Sequence, residues 1–137
     1  MMERVLFASV LIGVGIGVYH AVQHLLKWRV DQLDATDSVR ASLRAGVLAV
    51  VYFTTPHCVV CRTQQQPALQ ALEQALSQPI QIIKVDATEQ PEVASRWGVM
   101  SVPTTVVIGA SGQTLAINHG VADVHKLRRQ INDEAIN

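Results

Sequence analysis

The feature that most constrains the fold is a pair of cysteines, Cys58 and Cys61, placed between two different patterns. Residues 47–53 before them form a near-continuous apolar run, which is typical of a strand covered on both faces. Apolar residues at helical spacing follow and predict a helix from Cys58 to about Ser77, with a kink at Pro67. A Cys-x-x-Cys motif at such a junction places the first sulfur at a helix N-terminus, where free N–H groups stabilise a thiolate.

This placement predicts thiol–disulfide exchange. A Cys58 thiolate would attack a substrate disulfide, and Cys61, one helical turn further on, would resolve the mixed disulfide. The chain contains no third cysteine that could compete for either sulfur. We therefore predict Cys58 as the nucleophile and Cys61 as the resolving thiol, in a reaction that needs no cofactor.

Charge gives no indication of a nucleic-acid partner. The chain of 137 residues has a formal net charge of zero, and 16% of its residues are charged. A binder of polyanions would carry a basic excess, so we expect no nucleic acid among the partners. The length leaves room for one modest domain.

The N-terminal residues predict a membrane anchor. Residues 5–22 include no charged side chain, and the apolar segment extended to Leu26 has 22 residues. As a helix it would be roughly 33 Å long, enough to cross a hydrocarbon core of about 30 Å. We predict one transmembrane helix over residues 1–26, a single-pass signal anchor. A cleaved signal peptide and a buried soluble helix are the alternatives.

One face of this segment carries small side chains at every fourth position, a pattern that lets a second helix approach closely. The residues of this stripe are Ser9, Gly13, Gly17 and Ala21. They predict a weak dimer within the membrane.

Composition changes after the anchor. Residues 27–37 are mainly polar and predict a linker, and residues 38–137 predict one domain. Its patterns indicate a strand at 80–85, a short helix at 91–98, a hairpin at 104–118 and a last helix capped by Asp123. This order predicts an α/β fold with a parallel half and an antiparallel half.

Three features, in this order, carry a resemblance to a known family: Cys58-Val59-Val60-Cys61, Ser101-Val102-Pro103-Thr104 and Gly120. With them the chain resembles the thioredoxin family over about residues 47–131. The resemblance implies a thioredoxin-like fold, with a central mixed sheet flanked by helices, and thiol–disulfide oxidoreductase activity on protein dithiols and disulfides. It also implies a redox partner that recharges the cysteines.

The same resemblance implies a substrate groove shaped by Val102, Pro103 and Thr104. A cis Val102–Pro103 bond would turn the backbone toward the sulfurs, where it could pair with an extended substrate segment. An ordinary trans turn is the alternative.

Three residues could tune the reactivity of the cysteines, and two of them depart from the family pattern. His57 stands where the family has an aromatic residue, and Tyr52 where it has a buried carboxylate. Lys84 stands where that carboxylate has its lysine partner. A protonated His57 would favour a thiolate at Cys58, although an exposed ring without a role is equally compatible with its position.

Two other functions remain open at this point. Cys58, Cys61 and His57 could hold copper or zinc in a metal-delivery protein, although a closed zinc site needs four ligands. Alternatively, the fold could serve as an adaptor with inert sulfurs. We predict no metal.

Two observations disagree on the side of the membrane where the domain lies. Similarity to single-span bacterial thioredoxin-like proteins favours an extracytoplasmic, periplasmic domain. The charges that follow the span, Lys27 and Arg29 among them, favour the cytoplasm. We expect the extracytoplasmic side, and the cytoplasmic side stays open.

Overall fold

A computed structural model describes residues 1–33 and 36–133 of the chain. The helices are α1 (Met2–Asp31), α2 (Ser38–Ala41), α3 (Gln66–Ala75), α4 (Pro91–Arg96) and α5 (Val124–Asn132), and a π-helical turn, Cys61–Gln65, precedes α3. The strands are β1 (Leu48–Thr54), β2 (Ile80–Asp86), β3 (Thr104–Ile108) and β4 (Thr114–His119).

The four strands form one mixed sheet in the order β2-β1-β3-β4. β1 runs parallel to β2, with Val51 opposite Ile83, and antiparallel to β3, with Val51 opposite Val106. All seven residues of β1 are buried, as a strand at the centre of a covered sheet requires. The predicted fold class, a mixed sheet flanked by helices with a long apolar helix before it, is confirmed.

Alternate residues of β1 enter two different cores, because successive side chains of a strand point to opposite faces. On one face, Val51 and Phe53 pack in a cluster that includes Trp97, which follows α4. On the other face, Val50 and Tyr52 pack in a cluster with Cys61 and with buried leucines of α3 and α5. The buried cysteine therefore belongs to the core beneath α3 and α5.

The helix predicted from Cys58 to Ser77 changes its geometry near its start. It includes the π-helical turn Cys61–Gln65 and continues as α3, which begins at Gln66 and has Pro67 in its first turn. A proline in a helix interior lacks an N–H and collides with the preceding turn, whereas a first-turn position tolerates it. Pro67 thus follows the change from π- to α-helix and does not lie in the interior of one regular helix, and α3 ends at Ala75.

α1 is continuous from Met2 to Asp31, and its two ends have different surroundings. By length and composition it can cross a membrane, a test that an N-terminal signal sequence would also pass, and its most apolar stretch is not buried by the fold. The small-residue stripe lies in this exposed part, and no neighbouring atom lies within 4 Å of a Cβ built at Gly13 or Gly17.

The last turns of α1 pack on the domain. Val30 is 1% exposed in the Trp97 core, and Leu26 and Leu33 pack against the same cluster. Asp31 Oδ1 accepts hydrogen bonds from the Thr114 backbone N–H (2.8 Å) and hydroxyl (2.6 Å) on β4. Residues 27–31 of the predicted linker are therefore helical and in contact with the sheet. Residues 34–35 of that linker and 134–137 of the predicted domain lie outside the described residues.

Candidate active site

The two cysteines lie where β1 passes into the helical segment, and a disulfide joins them. The Cys58 N–H donates to the Thr55 carbonyl at 3.2 Å, closing the turn that follows the strand. Cys58 is partly exposed, whereas Cys61 is 0% exposed within the core. A partner thiol in solution therefore has access to Cys58 and none to Cys61.

Backbone geometry favours negative charge on Cys58 once the disulfide is reduced. The Cys61 N–H donates to Cys58 Sγ at 3.2 Å. The helical segment starts directly after Cys58, so the positive end of its dipole also faces this sulfur. Both effects stabilise a thiolate, which is the nucleophilic form of cysteine.

Val102 and Pro103 form the loop that precedes β3, and their peptide bond is cis. Val102 is partly buried and packs against both cores, including the cluster that contains Cys61 and that Cys58 contacts. The Pro103 carbonyl accepts a hydrogen bond from Gly120 N–H at 2.8 Å. Gly120 has φ 88°, a conformation that favours glycine.

Thr104 differs from its two neighbours in this predicted groove. It is 0% exposed, and its hydroxyl donates to the Ser101 carbonyl at 2.6 Å. The Thr104 side chain thus stabilises the loop through this hydrogen bond, and it offers no surface to a substrate.

A buried glutamine that the sequence analysis overlooked connects two segments of the site. Gln65 is 0% exposed. Its amide donates to the Ala122 carbonyl at 3.0 Å and accepts from the Ala122 N–H at 2.9 Å. These bonds fix the loop after Gly120 to the turn that carries Cys61. The available indication was a polar residue four positions after Cys61, on the inward face of the helix.

Tyr52 and Lys84 lie on neighbouring strands, in register with each other. Tyr52 is 2% exposed in the Cys61 core, and its hydroxyl lies near Thr54 without a well-formed hydrogen bond to any described residue. Burial raises the pKa of Tyr52, and the Thr54 side chain lowers it by a smaller amount. The group in the core beside Cys61 is thus a neutral phenol at neutral pH. Lys84 is exposed on the edge strand.

His57 is exposed beside Cys58 in the turn after β1. After α1, the described residues include four large apolar side chains that are exposed: Val59 (58%), Val60 (41%), Met100 (84%) and Val121 (37%). All four belong to the segments that carry the cysteines, the cis-proline loop and the loop after Gly120. Exposed apolar side chains that gather around a site are typical of surfaces that contact other proteins.

A groove of about 600 Å³ lies beside the cis-proline loop, and α1 forms part of its wall. Its lining includes Thr55, Val102 and Met100 from the site, together with Leu26 and Arg29 from α1. Leu26 packs so closely on Gly98 that a Cβ there would lie 3.0 Å from its Cδ2. The end of the apolar helix therefore supports the loop that leads to Pro103.

No group of three or more histidine, cysteine, aspartate or glutamate side chains is placed to hold a metal within residues 1–33 and 36–133. The metal-delivery alternative therefore gains no support from the described part of the chain.

Comparison with known proteins agrees with this geometry. Residues 32–133 match the sequence model of the family described as Thioredoxin. The thioredoxin of Bacillus subtilis is 32% identical over 101 residues, which cover 73% of this chain and 94% of that protein. The thioredoxin of Rhodospirillum rubrum is 34% identical over 85 residues, covering 62% of this chain and 80% of the relative.

Solved structures show the same fold. Mitochondrial thioredoxin 3 from Saccharomyces cerevisiae, in its oxidized form, superposes with a TM-score of 0.57 at 28% identity, over 72% of this chain and 86% of that one. Fasciola hepatica thioredoxin gives a TM-score of 0.54 at 31% identity, over 65% and 82%. With its disulfide at the start of a helix beside a cis-proline loop, the chain belongs to the thioredoxin family and is a thiol–disulfide oxidoreductase.

Proposed function

We propose that this chain is a membrane-anchored thiol–disulfide oxidoreductase that exchanges disulfides with protein substrates, Cys58 being the nucleophile and Cys61 the resolving thiol. One observation carries the assignment of roles: the disulfide joins a partly exposed Cys58 to a fully buried Cys61. A substrate sulfur can meet the first and not the second.

The exchange follows from this arrangement. In the reduced protein, Cys58 thiolate attacks one sulfur of a substrate disulfide, forms a mixed disulfide and releases the other substrate sulfur as a thiolate, which takes up a proton. Cys61, after losing its proton, attacks Cys58 Sγ, and the substrate leaves as a dithiol. Two electrons have passed from the chain to the substrate. The reverse sequence oxidises a substrate dithiol, and a separate redox partner restores the starting state.

The substrate lies across the loop formed by Val102 and Pro103. The exposed apolar side chains around the disulfide, Val59, Val60 and Met100 among them, give it an apolar contact surface. The backbone of the loop pairs with an extended segment, as in strand addition. Thr104 holds the loop in shape, and His57, which is exposed and next to Cys58 in the chain, tunes the reactivity of that thiol.

Trapping tests the two cysteine roles. We expect Cys61→Ser to accumulate mixed disulfides with substrate proteins through Cys58, because the resolving step is lost. We expect Cys58→Ser to accumulate almost none, because the remaining thiol is buried. Non-reducing electrophoresis followed by mass spectrometry of the adducts measures both. Equal trapping by the two variants would contradict the assignment.

The anchor is α1, whose apolar stretch lies outside the fold and precedes the segment that matches the family. We place the domain on the extracytoplasmic side, in keeping with similar single-span proteins, and against the preference of Lys27 and Arg29 for the cytoplasm. The exposed stripe that includes Gly13 and Gly17 offers a face for a weak dimer.

Membrane extraction tests the anchor. We expect the full-length chain to remain in the membrane pellet after alkaline carbonate treatment, with an intact mass that includes Met2. Ile12→Arg places a charge in the middle of the span at a cost of about 2.5–3.5 kcal/mol and should release much of the protein. Gln32→Arg, just after α1, is the matched control and should not. Recovery of the unaltered chain in the soluble fraction would refute the span, and a shortened mass would indicate a cleaved signal.

A further inference from the structure

A second cleft, away from the cysteines, lies where α1 passes the edge of the sheet. It has a volume of about 400 Å³. α1 forms one wall, β4 the floor and α5 the other wall. The polar side chains that line it are Tyr19, His20, Gln23, Lys27, Asn118, His119, Lys126 and Gln130.

The charge of this cleft has one sign. Lys27 on α1 and Lys126 on α5 line opposite walls, and the rings of His20 and His119 add N–H groups. None of the described lining residues is acidic. Neither lysine belongs to the ion pairs Arg40–Asp31 and Arg96–Asp37 of the described residues. Since no described carboxylate lines the cleft, its two ammonium groups offer a site for an anion.

The two side-chain amides on the floor of the cleft already have hydrogen-bond partners. Asn118 and Gln130 exchange two hydrogen bonds, at 2.9 and 2.8 Å, and Asn118 also donates to the Thr105 hydroxyl at 3.2 Å. These bonds fix the distance between β4 and α5 without using the lysine or histidine side chains. The floor is thus held by its own hydrogen bonds, and no described carboxylate lies among the cationic side chains around it.

One end of the cleft along α1 lies at the level of lipid headgroups. A helix needs about 20 residues to cross the hydrocarbon core, so a span that begins at Val5, after the charged Glu3 and Arg4, ends near His24. The headgroup layer adds roughly 5–7 Å on each side, which corresponds to about four residues of helix. Lys27, which lines the cleft, lies at that level.

From these observations we propose that the cleft between α1, β4 and α5 binds the phosphate headgroup of an anionic phospholipid. The inference rests on the membrane-anchored function proposed above. The lysines bind the phosphate from opposite walls, and the bound lipid holds the domain against the anchor helix. The disulfide site lies apart from this cleft, so lipid binding leaves the cysteines accessible.

Native mass spectrometry of the full-length chain in neutral detergent tests this inference. Phosphatidylglycerol and phosphatidylcholine with the same acyl chains are titrated separately, and bound lipid is counted. We expect a clear preference for phosphatidylglycerol. Each cleft lysine near an anionic headgroup should contribute about fivefold, so Lys27→Gln and Lys126→Gln should each weaken binding by about that factor and the double variant by about 25-fold.

Arg128→Gln is the matched control, because it removes an exposed charge from α5 outside the cleft and should leave the preference unchanged. Equal binding of both lipids, or an equal loss in Arg128→Gln, would overturn the inference. Competition by inorganic phosphate at the same concentration as the lipid would also overturn it, by indicating a free-anion site. If the chain is membrane-integrated yet shows no preference, only this inference fails; if carbonate extracts it, the anchor itself fails.

Discussion

A chain that begins at Thr36, which keeps the capping Asp37, will lose about 4–6 kcal/mol of its free energy of unfolding, whereas a chain that begins at Gln23 will not. The shorter chain lacks Leu26, Val30 and Leu33, which pack on the Trp97 core. Burial of such side chains contributes about 1.5–3 kcal/mol each, and two of the three are only partly buried, so we expect a loss of about 4–6 kcal/mol. The free energy of unfolding of a domain is about 5–15 kcal/mol, so a loss of this size is a large part of it.

Urea unfolding followed by circular dichroism measures this difference. Fluorescence is unsuitable, because the longer chain retains Trp28 and the shorter one does not. Trp28→Ser in the longer chain is the matched control, since this side chain is 58% exposed on the same helix turns and should change the free energy of unfolding little. Equal stability of the two chains would mean that the contacts of α1 with the domain contribute nothing.

The sequence predicted this fold well where burial is uniform. The apolar run at 47–53 could only be a central strand, and β1 is buried along its whole length. The capping Asp123 accepts a hydrogen bond from Lys126 N–H at 2.8 Å, as its position before an amphipathic pattern indicated. Local patterns of this kind determine local structure, so they can be read without knowledge of the rest of the chain.

The boundary between anchor and domain could not be predicted in the same way. Val30 and Leu33 are isolated apolar residues among charges, and such a pattern is also found in linkers. Their burial arises from the sheet that α1 meets, a contact between residues far apart in the sequence. Asp37, which caps the short helix α2, belongs to the same region, and its capping role was not predicted.

Within the site, the cysteines and the cis-proline loop follow from motif and resemblance, while the supports beneath them do not. Gln65 acts through Ala122, which is 57 residues away in the sequence. Thr104 belongs to the motif, yet its burial depends on how β3 meets β1. A motif identifies the residue types that chemistry needs, whereas the fold decides which of them face a substrate.

Asp37→Ala is expected to destabilise the domain by about 2–4 kcal/mol. Asp37 is 3% exposed and caps α2, accepting hydrogen bonds from the Val39 and Arg40 N–H groups at 3.1 Å. It also accepts from the indole N–H of Trp97 and from Arg96, both at 3.1 Å. Alanine would remove the cap and leave the indole N–H of a fully buried tryptophan without a partner. The Arg96 side chain is 48% exposed, so water can compensate its charge.

Two further variants separate the contribution of the buried hydrogen bonds from that of the charge. The free energy of unfolding of each variant is measured in the chain that begins at Gln23. Asp37→Asn keeps an oxygen that can accept from the Trp97 and backbone N–H groups, and it replaces the oxygen that accepts from Arg96 with an NH2 group. Because Arg96 is half exposed and water can take over its hydrogen bond, this variant should cost only about 1 kcal/mol. Asp86→Ala removes a carboxylate that accepts similar turn hydrogen bonds from Thr88 at the protein surface. With no buried partner left behind, this loss should also be about 1 kcal/mol or less. If Asp37→Ala costs no more than Asp86→Ala, the buried connection from α2 to Trp97 contributes nothing beyond an ordinary surface turn.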